Sequence, residues 1–231
     1  MMKIKKGDFV ELDYIGKLKD DGRIFDLTSV DVAKKEGLYH EREQYGPRII
    51  CVGEGQIVKG IDTFLIGKET IFYTLSLPPE EAFGKKNAKL LKIVPLQMFT
   101  KQQIKPFPGL QVNMDGFMGI VKTVSGGRVI VDFNHPLAGR AVTYELTVKR
   151  IVSETKEKVK AYLHTLFGKD MTFDLTQGKL AIHFALPEPL QQQLAEKFKQ
   201  VIPEVKEVRF EEQTQEKKAE QKQLQKATTE P

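Results

Sequence analysis

The side chains that could carry nucleophilic, acid–base or metal chemistry are few: four histidines, His40, His135, His164 and His183, and a lone cysteine, Cys51. The histidines show no metal-ligand spacing, and one cysteine cannot close a disulfide within the chain. His135 stands in DFNHPLAG, between two alternating apolar runs. A histidine at a strand end can serve as a general base or a ligand. A junction rich in Asn, Pro and Gly instead asks for a side chain that orders the turn by hydrogen bonding, and that is the reading adopted. No metal and no cofactor is expected.

The elements that must position any site follow from hydrophobic period and breakers. FVELDYIGKL alternates over Phe9 to Leu18, KDDG turns the chain and RIFD resumes the extended pattern, which together predict a hairpin. Residues 29–46 are polar and irregular. PRIICVGEG reads as a strand ending in glycines, and IVKGIDTFLIG as a short helix bounded by them. In TIFYTLSLPPEEAFG, the residues Ile71, Tyr73, Leu75 and Leu77 share one strand face until the paired prolines stop the ladder.

After Gly84 the sheet's expected continuation is delayed. Residues 85–133 hold LLKIVPLQMF, a Pro-broken IKPFPGLQV and two strands around an SGG turn, which make a small β module. Only after NHPLAG does a clean alternating strand return, RAVTYELTVKRI, with Val142, Tyr144, Leu146 and Val148 on one face. Beyond Ile151 a helix is expected, capped by Ser153, with Val159, Leu163, Leu166 and Phe167 as its stripe and Gly168 as its stop. A hairpin around Gln177 and Gly178, a second helix with Leu190, Leu194, Phe198 and Val201 or Ile202, and the strand EVKEVRFEE complete an αββαβ pattern. The fold class is therefore α+β. Four segments are expected: 1–84 with 134–152, the insertion 85–133, a C-terminal α/β domain 153–212, and a polar tail 213–231 that is expected to be disordered.

Composition narrows the function. The 36 Lys and Arg against 31 Asp and Glu leave +5 spread over a mixed-sign surface, which argues against a nucleic-acid partner. No run approaches the roughly 20 apolar residues a membrane span requires. The opening MMKIKKGDFVELDY turns charged before any apolar stretch of signal-peptide length, so the expectation is a cytoplasmic protein with no membrane partner.

The segments VELDYIGKL, GRIFD, VGEGQIVKGID and LPPEEAFG occur in the order and spacing of FKBP-type peptidyl-prolyl isomerases, and residues 3–151 resemble that family. The insertion after Gly84, with return through NHPLAG, resembles the insert-in-flap chaperone domain of the SlyD-like branch. The added αββαβ region resembles the long-chain archaeal members. The tail lacks the histidines with which SlyD binds nickel.

The resemblance implies an isomerase and folding chaperone acting on X-Pro bonds, with an apolar cup made by Tyr14, Phe25, Asp26, Ile57, Val58, Ile61, Phe83 and Tyr144. Taken singly, Phe25, Ile57 and Ile61 read as ordinary core, and Asp26 as a solvated turn residue. Ile61 stands where many members have tryptophan, Arg48 where others have an aromatic wall, and Phe83 where tyrosine is usual, which puts macrolide binding in doubt. Client contact is assigned to Met98, Phe99, Phe107, Met114, Phe117 and Met118, because a module this small has little interior to hide them. Unfolded, proline-containing polypeptides are the expected partners, and the C-terminal region is expected to form a homodimer. The competing reading is a non-catalytic holdase that binds exposed apolar segments.

Overall fold

The computed structural model describes residues 3–211 of the chain. Strand β1 (Phe9–Leu18) buries every second residue, as its alternation requires. It turns at Gly22, which adopts φ +70°, into β2 (Ile24–Leu27). The stretch read as irregular holds a one-and-a-half-turn helix, α1 (Val30–Lys35), where the Ser29 hydroxyl accepts from the Val32 N–H. Only Ala33 of that helix is buried, so no apolar stripe announced it. β3 (Arg48–Cys51), α2 (Lys59–Leu65) and β4 (Phe72–Leu77) follow where expected, except that Ile71 lies outside β4 and is exposed.

The insertion forms a four-stranded antiparallel sheet. It contains β5 (Leu91–Pro95), a helix α3 (Leu96–Lys101), β6 (Gln111–Met114), β7 (Phe117–Ser125) and β8 (Arg128–Asp132), in the order β5-β8-β7-β6. The β7–β8 turn is the SGG element, with Gly126 and Gly127 both at positive φ. Helix α3 was not expected, because its single buried residue, Phe99, shows no helical period. Val94, Phe99, Val112, Val121, Val129 and Val131 form the module's core.

β9 (Val142–Val152) is the returning strand, and the main sheet has the order β2-β1-β9-β4, with β3 paired antiparallel to β1. The C-terminal segment runs α4 (Thr155–Phe167), β10 (Phe173–Thr176), β11 (Lys179–Ile182), α5 (Glu188–Val201) and β12 (Glu207–Phe210). β11 is central, antiparallel to β10 and parallel to β12. Gly168 closes α4 in the left-handed region, its N–H reaching the His164 carbonyl at 2.8 Å. The N-cap is Glu154 rather than Ser153, and no side chain bonds there. Leu166 and Leu190 are exposed; Tyr162, rather than Leu166, joins Val159 and Leu163 in the buried stripe.

The chain divides into two compact units. One holds the described residues up to Ile15, then Asp26–Leu75 and those from Glu145 onward; the other holds Gly16–Phe25 and Ser76–Tyr144. The αββαβ segment shares its core with the first sheet's strands. Phe9, Cys51 and Val152 are buried in one cluster with Val159, Tyr162, Leu163, Leu180, Ile182, Phe198 and Ile202. The expected tail, 213–231, lies outside the described residues.

Candidate functional site

In the first unit the site residues are held by backbone and side-chain bonds. Tyr14 is clipped to Thr28 in both directions: its N–H donates to the Thr28 hydroxyl at 3.0 Å, and the Thr28 N–H donates to the Tyr14 carbonyl at 3.0 Å. The Thr28 hydroxyl in turn donates to Asp13 at 2.8 Å. Fixed in this way, the Tyr14 phenol donates to Asp26 at 3.1 Å. Burial pushes that phenol's pKa well above its usual value, and the Asp26 carboxylate adds to the rise, so it remains a neutral donor at physiological pH. The Arg48 guanidinium lies over the Tyr14 ring, 5.7 Å from its centre.

Ile57 and Val58 enter α2, with Val58 as the N-cap, and Ile61 in its first turn is fully buried. The loop before them is fastened by a residue that the sequence reading passed over. Buried Asp62 accepts from the Gly53 N–H at 2.7 Å and the Gly55 N–H at 3.1 Å. Its position at the end of GEGQIVKGID, nine and seven residues after the glycines it binds, was the available signal.

In the second unit, Tyr144, Phe25, Phe83 and His135 form a chain of rings. Phe25 meets Tyr144 edge-on at 5.8 Å and Phe83 edge-on at 5.5 Å, both favoured aromatic geometries. Phe83 stacks flat on His135 at 4.7 Å. His135 also orders its turn as expected, its Nδ1 accepting from the Leu137 N–H at 3.2 Å. The turn assignment therefore holds, and the imidazole has a second task as the backing of Phe83. Gly16 is required beside these rings: a Cβ there would lie 2.8 Å from Phe25 and 2.9 Å from Tyr144. Sequence reasoning missed it, since a glycine inside a strand marks close approach only generically.

The insertion's outgoing and returning chains are tied to each other. Asn134 Oδ1 accepts from the Asn87 N–H at 2.8 Å, while Asn134 Nδ2 donates to the Asn87 carbonyl at 3.1 Å and to Asp132 at 2.8 Å. Burial alone would raise the Asp132 carboxyl; the Asn134 donations and the nearby Lys122 ammonium outweigh it and hold the pKa below the usual range.

The client-contact candidates separate. Phe117, Met118, Phe107 and Met98 are 71%, 59%, 57% and 49% exposed. Phe99 must be withdrawn, because at 4% exposure it is part of the module's own core, and Met114 packs partly against that core. Ile93, 66% exposed, was missed. The pairings Ile93–Ile130 and Leu91–Asp132–Ile120, with Met118 two residues before Ile120, place Leu91, Ile93, Ile120, Ile130 and Met118 on the face opposite the core. A sheet apolar on both faces was hidden by the short, Pro-interrupted run LLKIVP, which does not alternate.

Comparison with known proteins agrees with this architecture. A family model for FKBP-type peptidyl-prolyl cis-trans isomerase matches residues 1–99, and one for the FKBP26 IF domain matches residues 92–137. The short-type peptidyl-prolyl cis-trans isomerase of Methanocaldococcus jannaschii is 32% identical over 149 residues, 64% of this chain and 94% of that protein. The chain belongs to the FKBP-type peptidyl-prolyl cis-trans isomerase family. Within it, the SlyD isomerase of Treponema pallidum is 28% identical over 172 residues, 70% of this chain and 86% of that one. The probable FKBP-type 16 kDa isomerase of Pseudomonas fluorescens is 32% identical over 108 residues, covering 44% and 71% respectively. The activity of the FKBP family is rotation about X-Pro bonds, and its clients are polypeptides. No helix among the described residues is long and apolar enough to cross a membrane.

Proposed function

We propose that the isomerase acts through an apolar cup formed by Tyr14, Phe25, Asp26, Ile57, Val58, Ile61, Phe83 and Tyr144, while the inserted sheet holds the client. Rotation about the peptide bond costs about 18–20 kcal/mol because resonance is lost, and an X-Pro bond turns uncatalysed in roughly tens to hundreds of seconds. No bond breaks. An apolar cup strips water from the planar, more polar amide and so favours the twisted state relative to it. The observation that supports this reading is the Tyr14–Asp26 hydrogen bond, a neutral phenol donor held on a carboxylate. Phe83 brings no hydroxyl to the substrate carbonyl, at a cost of about 0.5–1.5 kcal/mol for one hydrogen bond, so turnover of small peptides is modest. The experiment is peptide isomerisation followed without a coupling protease: Asp26→Ala and Tyr144→Ala should lower kcat/KM. A wild-type rate equal to the uncatalysed one would overturn catalysis and leave a holdase, which works only at stoichiometric amounts.

The client platform of this proposal is residues 85–133, an insert-in-flap module presenting Ile93, Met118, Phe117, Phe107 and Met98; flexible methionine and exposed aromatics suit many unfolded sequences. Holding a client there raises the effective concentration of its prolines at the cup. The remaining parts of the proposal are an isomerase domain of residues 1–84 and 134–152, a C-terminal domain of residues 153–212, a cytoplasmic location and a homodimer through the C-terminal segment, for which exposed Leu166 and Leu190 are the supporting feature. A chain ending at Val152 would strip the cover from Phe9 and Cys51, so light scattering should compare the full chain with Leu166→Glu and Leu190→Glu. A monomeric mass for the wild type contradicts the dimer.

A further inference from the structure

The αββαβ segment does more than cover β3. Between β3 with its preceding loop and helix α4 lies a cleft of about 610 Å³. Its α4 wall is a single helical stripe, Glu157, Lys160, Ala161, His164 and Thr165, at spacings of three, one, three and one. From Glu157 to Thr165 the helix rises about 12 Å, the length of roughly three to four residues of extended chain. The opposite wall includes Arg48, and Arg48 also lies over the Tyr14 ring at 5.7 Å. One side chain thus borders both the Tyr14–Asp26 pair and the cleft.

The charges of the cleft are unequally answered. Both Glu157 oxygens accept from Arg150, at 2.8 and 3.2 Å. Asp170, at the far end, receives His164 at 3.1 Å and faces the Lys160 ammonium at 3.7 Å. Arg48 is exposed and has no carboxylate within ion-pair distance among the described residues. Its guanidinium, held over a ring and offering several donors in a fixed fork, is prepared for a carboxylate that the described residues do not supply.

We propose that this cleft is an extension of the substrate site, which takes the client residues flanking the target proline and selects an acidic side chain there through Arg48. The proposal rests on the assignment of Tyr14 and Asp26 to the prolyl site. It makes the C-terminal segment part of substrate selection, so that clients are chosen by the sequence around the proline as well as by apolar content.

The test uses the full chain and fluorescein-labelled proline peptides in which Glu, Ala or Lys is scanned through the flanking positions. Binding is read by anisotropy and isomerisation by a protease-free assay. At the best position, Glu should bind about three- to tenfold tighter than Lys, and this ratio should shrink in high salt. Arg48→Glu should invert the ratio, and Arg48→Lys should keep part of it. Ala161→Trp, which fills the cleft from the α4 side, should abolish the Glu preference; Thr165→Trp is the alternative if the first variant melts early. Equal binding of Glu and Lys peptides at every position, or a Glu preference that survives Arg48→Glu or both tryptophans, would overturn the proposal. Because binding is read apart from turnover, an absent isomerase activity would count against the prolyl assignment and leave the charge test intact.

Discussion

Two regions of this chain are built from the same residue types and treat them in opposite ways. In the ring chain Tyr144–Phe25–Phe83–His135 each aromatic is fixed by the next, and Gly16 is reduced to a bare Cα to admit two of them. In the inserted sheet, Ile93, Phe117 and Met118 stand more than half exposed over a core that is already complete without them. A catalyst that lowers a rotational barrier must present its apolar walls in one geometry, since a displaced wall stabilises the ground state as readily as the twisted one. A surface that accepts many sequences gains nothing from such fixing. With the roles proposed above, the contrast is a difference in what the two surfaces must tolerate.

The comparison breaks first at the rings. Tyr144→Ala removes a fully buried aromatic and should destabilise the protein by about 3–5 kcal/mol in denaturant titration, with peptide turnover lost. Gly16→Ala should cost about 1–3 kcal/mol through overpacking and lower kcat/KM by tenfold or so, because two rings must move. If Gly16→Ala were neutral in both measurements, the rings would not be tightly held. His135→Ala removes the stacked backing of Phe83 and one turn hydrogen bond, for about 1–2 kcal/mol in all, and should lower activity without changing its pH profile. A general base would instead take the pH dependence with it.

The insertion should respond differently. Phe117→Ser with Met118→Ser should leave the unfolding free energy within about 0.5 kcal/mol of wild type, as surface changes do, yet weaken suppression of client aggregation. Its junction is acid-sensitive through Asp132. A carboxyl held below its unfolded pKa, about 3.9, contributes stability that is present above that value and lost as pH falls through the folded one. Hydrogen exchange at Asn87 and Asn134 should therefore quicken only in acid below about pH 4, and Asp132→Asn should flatten the effect.

Much of this was readable from the residues. The alternation of β1 and β9, the hairpins at Gly126–Gly127 and at Gln177–Gly178, and the αββαβ order all follow from period and turn chemistry, which are local. What escaped was non-local or too short to show a period. Helices α1 and α3 bury one residue each, and Ser153 lost the cap to Glu154 by one position. Phe99 looked like Met98 in the sequence, but on a helix that was not foreseen Phe99 is buried and Met98 is half exposed. The merging of the αββαβ segment with Phe9 and Cys51 in one core depends on tertiary contacts that no window of sequence contains.

The division of labour between fixed rings and open sheet is tested most directly by replacing residues 85–133 with a short loop and measuring two rates on the same preparation. The account predicts that isomerisation of a short proline peptide is largely retained, while catalysed, proline-limited refolding of a protein substrate falls sharply together with suppression of its aggregation. Equal loss of both activities would contradict it, and would mean that the insertion only supports the fold.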